Sequence, residues 1–249
     1  MIGGIKVKGK KKERYTLADW VIGFFLLCFG LAIVYPVWYL FMLSFSTFGG
    51  ISASSNPFML TPAGFTLRAY KDIFASPYIQ SGYMVTIFRT VVGTALSVFF
   101  MALAAYALSK KDMPGRKVFT IFFLVNMFVQ GGMIPTYLMI KELGLLDNIW
   151  LLVLLPMFNT YYMIILRSFF QTIPESLAEA AKLDGASEVQ IFFRIMAPLS
   201  VPSLIAVGTW VFFTHWNSWF DSQLYFSTMK KQVVLVQIRR LVIEQSNLL

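Results

Sequence analysis

The sequence has little charge and few of the residues on which enzyme chemistry usually depends. Asp, Glu, Lys and Arg make up 13% of the 249 residues, against 57% apolar residues, whereas a soluble domain carries about 25% charged residues. One histidine and one cysteine argue against a metal centre of these ligands and exclude an internal disulfide bond. The sequence also lacks a Gly-x-x-x-x-Gly-Lys-Ser/Thr phosphate loop. We therefore expect a chain that is not an enzyme, binds no cofactor and hydrolyses no ATP itself.

What the chain has instead is a series of apolar runs long enough to cross about 30 Å of hydrocarbon. They predict an all-α polytopic membrane protein with five spans, at residues 20–45, 84–109, 118–140, 149–166 and 198–220. Between and around them we expect a basic tail at 1–19, a polar loop at 167–197 and an outer segment at 221–249. Residues 20–249 are expected to form one transmembrane domain in a lipid bilayer.

Lys and Arg set the predicted orientation. The tail carries six of them, the turn after the second span four and the polar loop three, thirteen in all, whereas the first two outer loops carry three. Because such residues favour the cytoplasmic side, the N-terminus and the polar loop are predicted to lie in the cytoplasm. This anchoring accounts for the net charge of +9, so no nucleic-acid partner is expected. Arg89, near the outer end of the second span, is expected to extend its side chain to water.

The polar loop contains a stretch that lipid would not accommodate, from Pro174 to Ser187. Proline is favoured at the start of a helix, and Gly185 is typical of the left-handed residue that ends one. Ser187 and Gln190 have the spacing of a capping box, which predicts the start of a second helix. The stretch is therefore predicted to be a helical hairpin with a glycine corner.

The hairpin residues closely resemble the EAA loop of binding-protein-dependent ABC importer permeases. Their spacing in this chain is carried by Glu179, Ala180, Ala181, Gly185, Ile195 and Pro198, with Ala197 where the family usually has Leu. Thr172-Ile173-Pro174 and the run from Asp184 through Ala186 to Ser187 look like the carbohydrate-uptake branch, especially its oligosaccharide permeases. The resemblance extends over roughly residues 15 to 249 and implies a type I importer transmembrane domain of the MetI-like kind.

This resemblance implies a function and a set of partners. The chain would form half of the translocation pore of a sugar importer in a bacterial plasma membrane, with a second permease subunit completing a heterodimer. Cytosolic ATP-binding subunits would use the ATP, and an extracytoplasmic solute-binding protein would deliver the sugar. Glu179 would pair with a basic residue of the ATPase, Ala180 and Ala181 would form the contact surface, Gly185 the corner, and Pro198 the start of the fifth span.

The family usually has a sixth span, and this sequence shows none. After Asp221 the apolar stretch at 233–243 is interrupted by Gln237, Arg239 and Arg240, so five spans would leave the C-terminus outside. A truncated permease and a natural five-span chain both fit this pattern.

Several polar and aromatic residues at membrane depth have two interpretations. They are Asn126, Gln130, Asn159, His215, Trp216 and Asn217. They could line the path of a sugar, or they could form bonds between helices and an interfacial aromatic belt.

Two other classes of function remain open from the residues alone. An ion-coupled secondary carrier is expected to have an ionisable residue buried within a span and inverted repeats. A non-transporting membrane scaffold would use the hairpin only to dock a cytosolic protein. ATP hydrolysis stimulated by substrate in an assembled complex separates the importer from both.

Overall fold

The computed structural model describes residues 16–53, 58–129 and 131–246. Over these ranges the chain is helical and has no β-strand beyond an isolated antiparallel bridge between Ser46 and Phe65, which agrees with the all-α prediction. The basic cluster of the predicted tail and Gln130 lie outside the described residues.

The chain divides after Ile73 into two compact units. The first contains α1 (Leu17–Ser44) and α2 (Phe48–Ala53), and α3 (Arg68–Ala75) begins within it. Helix α1 starts with a capping box, in which the backbone and hydroxyl groups of Thr16 donate to Asp19 at 2.7 and 2.8 Å. Its 28 residues include Pro36, and it is long and apolar enough to cross a membrane.

The second unit is built on α4 (Pro77–Ser109), a helix of 33 residues that spans about 50 Å at 1.5 Å per residue. Pro77 occupies its first turn, where a missing N–H costs nothing. Buried small residues along α4 include Gly82, Gly93, Ala102 and Ala105, so neighbouring helices can approach closely. The second predicted span is confirmed as a single helix that begins seven residues earlier than expected.

The third and fourth predicted spans are not single helices. The third is divided into α5 (Arg116–Phe128) and α6 (Met133–Glu142), with Gly132 at a φ of +84° just before α6. The fourth is divided into α7 (Leu151–Leu154) and α8 (Thr160–Phe170), with Pro156 and Asn159 in the break. Proline and a positive-φ glycine interrupt helices, and their effect was underestimated in the prediction.

The remaining helices of the second unit follow the polar loop. They are α9 (Glu175–Leu183), α10 (Glu188–Ile191), a π-helical segment (Phe192–Met196), α11 (Ala197–Leu199), α12 (Val201–Asn217), α13 (Phe220–Tyr225), a 3₁₀ turn (Met229–Lys231) and α14 (Val234–Ser246). Residues 188–199 meet α12 at a bend of 80°. By length and composition, α1 and α4 can each cross a membrane alone, and two bent pairs bring the number of candidate crossings in the described residues to four.

Two apolar clusters hold the second unit together. The cluster at the hairpin end of α4, called the inner cluster, joins α4, α8, α12 and the segment after Ser187. Its most buried members are Met101, Ala105, Leu166, Ile191 and Val207. The cluster at the opposite end of α4, called the outer cluster, joins the first half of α4 to α6, α7 and the C-terminal segment. It includes Val85, Ile140, Leu152 and Val233. The described part of the predicted outer segment 221–249 therefore packs on α4, through residues that include Val233 and Val236.

Candidate functional site

The predicted hairpin is present, and its corner is closed by a Schellman motif. Helix α9 ends at Leu183 and Gly185 has a φ of +82°, as predicted. The backbone N–H of Ala186 donates to the carbonyl of Ala181 at 2.9 Å, and the backbone N–H of Gly185 donates to the carbonyl of Lys182 at 3.0 Å. These are the two hydrogen bonds of the motif. Pro174 is the residue immediately before the helix. The corner is thus fixed by the backbone rather than by a partner.

The second arm of the hairpin starts with the predicted capping box. The Ser187 N–H donates to Gln190 Oε1 at 2.8 Å, and the Gln190 N–H donates back to the Ser187 hydroxyl at 3.4 Å. The helix then continues through the π-helical segment, where Ile195 is half-buried against the inner cluster. Pro198 lies in α11, and the next helix begins at Val201. Pro198, predicted to start the fifth span, therefore lies just before the bend at Ser200, and α12 begins three residues after it.

The two sides of α9 face different surroundings. Ala178 and Ala181 are half-buried against the inner cluster. Glu179, Ala180 and Asp184 are exposed. Ala181 therefore contributes to holding the hairpin on its own chain, and the surface open to a partner is the side that carries Ala180.

Glu179 lines a cleft of about 760 Å³ between α9 and the ends of α4 and α8. The cleft also contains Lys110, Lys111, Lys182 and Glu175. Lys111 Nζ lies 3.0 Å from Glu175 Oε1, but Glu179 has no hydrogen bond or ion pair among the described residues. Its carboxylate is available to a basic group from outside the chain.

Glu188, the first residue of α10, holds the hairpin to the end of α4. Its carboxylate accepts a hydrogen bond from the Tyr106 hydroxyl at 3.0 Å and forms ion pairs with Lys110 and, at 3.0 Å, with Lys182. No sequence pattern distinguishes Glu188 as a functional residue. A glutamate at the first position of a capped helix is explained by the helix dipole alone, and nothing in the local sequence indicates partners 78 and 82 residues away.

Two of the predicted polar residues at membrane depth, Asn159 and Asn217, form hydrogen bonds within their own helices. Asn159 Oδ1 accepts the N–H groups of Tyr161 and Tyr162 at 2.9 and 3.3 Å and so caps α8. Asn217 Nδ2 donates to the carbonyl of Phe213 at 2.9 Å. Among the described residues neither side chain forms the bond between helices that was one of its two interpretations. Asn126 and Trp216 are exposed. A contact of any of these residues with a sugar stays a prediction.

His215 is buried between α12 and α4. Its side chain is 1% exposed, and a Cβ added at Gly93 would lie 2.6 Å from His215 Cε1. Ser97 Oγ lies 3.4 Å from Nε2, while Nδ1 is buried without a partner in the described residues. The expectation that His215 belongs to an interfacial belt is therefore wrong, since the glycine and serine of α4 leave room for the ring inside the helix packing.

Arg89 is fully buried, contrary to the expectation that it reaches water. Its Nη1 donates to Asp221 Oδ1 and to the carbonyl of Ser218, both at 3.0 Å, and Nη2 pairs with Asp221 Oδ2. The two side chains are 1% and 15% exposed. A bidentate pair of this kind balances the charge of a guanidinium without solvent, so Arg89 needs no route to the headgroup region.

Comparisons with known proteins identify the family of the chain. Residues 18–220 match the family described as "Binding-protein-dependent transport system inner membrane component". The polygalacturonan/rhamnogalacturonan transport system permease protein YtcP of Bacillus subtilis (strain 168) is 40% identical over 94% of this chain and 82% of its own length. The maltodextrin transport system permease protein MdxG of the same strain is 28% identical over 86% of this chain and 77% of its own.

A solved structure has the same fold. It is a chain of a bacterial ABC transporter involved in the import of the acidic polysaccharide alginate, with a TM-score of 0.86 and 30% identity, over 94% of this chain and 84% of that chain. Family, relatives and fold agree on one assignment. The chain belongs to the inner membrane components of binding-protein-dependent transport systems, as a permease subunit of the sugar ABC importer kind.

Proposed function

We propose that the chain forms half of the translocation pore of an ATP-driven importer for sugars or oligosaccharides and couples to a cytosolic ATPase through the hairpin at 174–198. Family membership supports the transport role. The observation that carries the coupling role is the hairpin itself, a polar helix with a corner fixed by backbone hydrogen bonds and with a Glu179 carboxylate that has no partner in the described part of the chain. A rigid element of this kind transmits a displacement that a flexible loop would absorb.

The proposed partners follow from this role. A second permease subunit completes the pore, two ATP-binding subunits hold the hairpins on the cytoplasmic side, and a solute-binding protein delivers the sugar on the outer side. ATP binding closes the ATPase subunits, the hairpins move with them, and the helices alternate between inward-facing and outward-facing states. The N-terminus lies in the cytoplasm of a bacterium, and the bilayer is the inner membrane. ATP is used by the partner, not by this chain.

The docking role is tested by Glu179→Lys in the complex purified from host membranes. The variant places a cation where a basic partner group is proposed, and like charges in contact repel. We expect the ATPase subunit to be lost from the purified complex and ATP-dependent sugar uptake by vesicles to stop. Glu142→Lys is the matched control, because Glu142 is also exposed but ends α6. Recovery of a Glu179→Lys complex that retains its ATPase and imports sugar would show that the assignment is wrong.

One observation bears on the alternative of an ion-coupled carrier. Such carriers use a buried ionisable residue, and Asp221 is largely buried. Asp221 is held in a bidentate pair by Arg89, however, which leaves it without the freedom to bind and release an ion. Sugar uptake that follows an imposed ion gradient without ATP would favour this alternative.

A further inference from the structure

The two arms of the hairpin are attached to the rest of the chain in different ways. In α9 no residue is fully buried, and its ion pair between Glu175 and Lys111 joins side chains that are 62% and 76% exposed. The second arm places Ile191, Phe192 and Met196 in the inner cluster at 0 to 6% exposure. A displacement of the hairpin is therefore passed on chiefly through the second arm, since α9 adds only the partly buried contacts of Ala178 and Ala181.

Glu188 stands where this arm meets α4. One carboxylate oxygen accepts the Tyr106 hydroxyl and pairs with Lys110, and the other lies 3.0 Å from Lys182 of the first arm. The ammonium group of Lys110 lies over the Tyr106 ring, 4.7 Å from its centroid, and Tyr106 also packs on Phe192, with ring centroids 5.3 Å apart. A single side chain thus joins both arms of the hairpin to the last turn of α4.

The charges around Glu188 make this attachment depend on its carboxylate. Burial, followed by the positive charge of Lys182, lowers the pKa of Lys110, whereas Asp112 raises it. Lys110 and Lys182 are therefore close enough to repel each other, and Glu188 lies between them. Without its negative charge, two cations would face each other at the junction and push the hairpin away from α4.

Helix α4 extends from this junction to the outer cluster. Its first half holds α14, where the Val234 N–H donates to Thr86 Oγ1 at 3.0 Å, and Arg89 holds Asp221 just after α12. A hydrogen-bonded helix about 50 Å long moves nearly as a rigid rod. A displacement that reaches its inner end is thus carried to the segments packed on its outer end.

We infer that Glu188 is the positioning residue that makes the hairpin and α4 move as one body, so that the ATPase acts on the outer half of this subunit through α4. This inference rests on the proposed function. It predicts a specific defect, in which the complex assembles and hydrolyses ATP but hydrolysis no longer drives import.

The test uses the complete complex in proteoliposomes, with uptake and ATP hydrolysis measured together. In Glu188→Gln we expect the complex to assemble and its basal ATP hydrolysis to stay near that of the natural chain. The amount of sugar imported per ATP should fall roughly tenfold, which lies within the range of factors typical of allosteric coupling. Glu142→Gln is the matched control, because it makes the same chemical change at an exposed residue outside the hairpin, and it should leave the ratio unchanged. If Glu188→Gln imports as much sugar per ATP as the natural chain, the inference is overturned. If the complex with the natural chain itself imports no sugar, the result counts against the proposed function instead.

A cross-link provides a second test that does not depend on charge. Cys28 is the only cysteine in the chain, so Cys28→Ser gives a background in which Lys110→Cys and Glu188→Cys can be joined by a short bifunctional thiol reagent. If the hairpin and α4 move as one body, the cross-linked complex should retain uptake, even though the natural ion pair is absent. Loss of uptake on cross-linking, restored when the linker is cleaved, would show that the two elements must separate and would refute the inference.

Discussion

Replacing Asp221 by asparagine should destabilise the protein strongly, because it leaves the Arg89 charge buried without its counter-ion. The Arg89 side chain is 1% exposed, and its Nε is already without a partner in the described residues. Breaking a buried pair by removing one member costs about 3 to 5 kcal/mol. The carbonyl of Ser218 would still accept one hydrogen bond from Nη1, so we expect the lower half of this range.

Thermal unfolding in detergent measures this effect. For a chain of this length a loss of about 3 to 4 kcal/mol corresponds to a fall in Tm of about 6 to 16 °C. Asp72→Asn is the control, since Arg68 and Asp72 form an ion pair at 3.6 Å with side chains 85% and 70% exposed, and exposed pairs contribute little. The double variant Arg89→Met with Asp221→Leu should be close to the unchanged protein, because apolar residues of similar size often replace a buried pair without loss. A Tm for Asp221→Asn equal to that of Asp72→Asn would refute the reasoning.

Two further predictions concern glycines. Gly93→Ala would place a Cβ 2.6 Å from the His215 ring, whereas at Gly208 an added Cβ makes an ordinary 3.6 Å contact with Val98. We therefore expect Gly93→Ala to lower the Tm of the detergent-solubilised protein and Gly208→Ala to leave it unchanged. Equal Tm values for the two variants would show that the helices move apart without cost. Gly185→Val puts a β-branched residue at a φ of +82°, with an expected strain of about 1 to 3 kcal/mol; faster proteolysis of the hairpin would reveal it, and cleavage at the original rate would contradict the corner geometry.

The hairpin could be predicted from the sequence because its signals are local. The glycine corner and the capping box of Ser187 and Gln190 each involve residues within a few positions of one another, and both are present as expected. The second span was also predicted, since one uninterrupted apolar run produced one helix. The third and fourth were predicted as continuous because hydropathy averages over Gly132 and Pro156, which break the helix locally without lowering the average.

The long-range polar contacts could not be predicted in the same way. Arg89 and Asp221 are 132 residues apart, and Asp221 lay outside every predicted span. Because nothing in the sequence identifies Asp221 as the partner, an arginine near the end of a span was predicted to extend its side chain to water, which avoids burying its charge. Glu188 was missed for the same reason, because Tyr106 and Lys110 approach it only through the packing of α4 on the second arm.

The separation of Arg89 from Asp221 also has a consequence for biogenesis. At about 5 to 20 residues per second, a ribosome adds the intervening 132 residues in about 7 to 26 s. During this time α4 is complete while its counter-ion does not yet exist, and an unpaired arginine in a membrane helix is costly. The second span therefore carries this cost until the chain beyond α12 arrives, and in nascent chains that stop before Asp221 we expect α4 to be held less stably in the membrane.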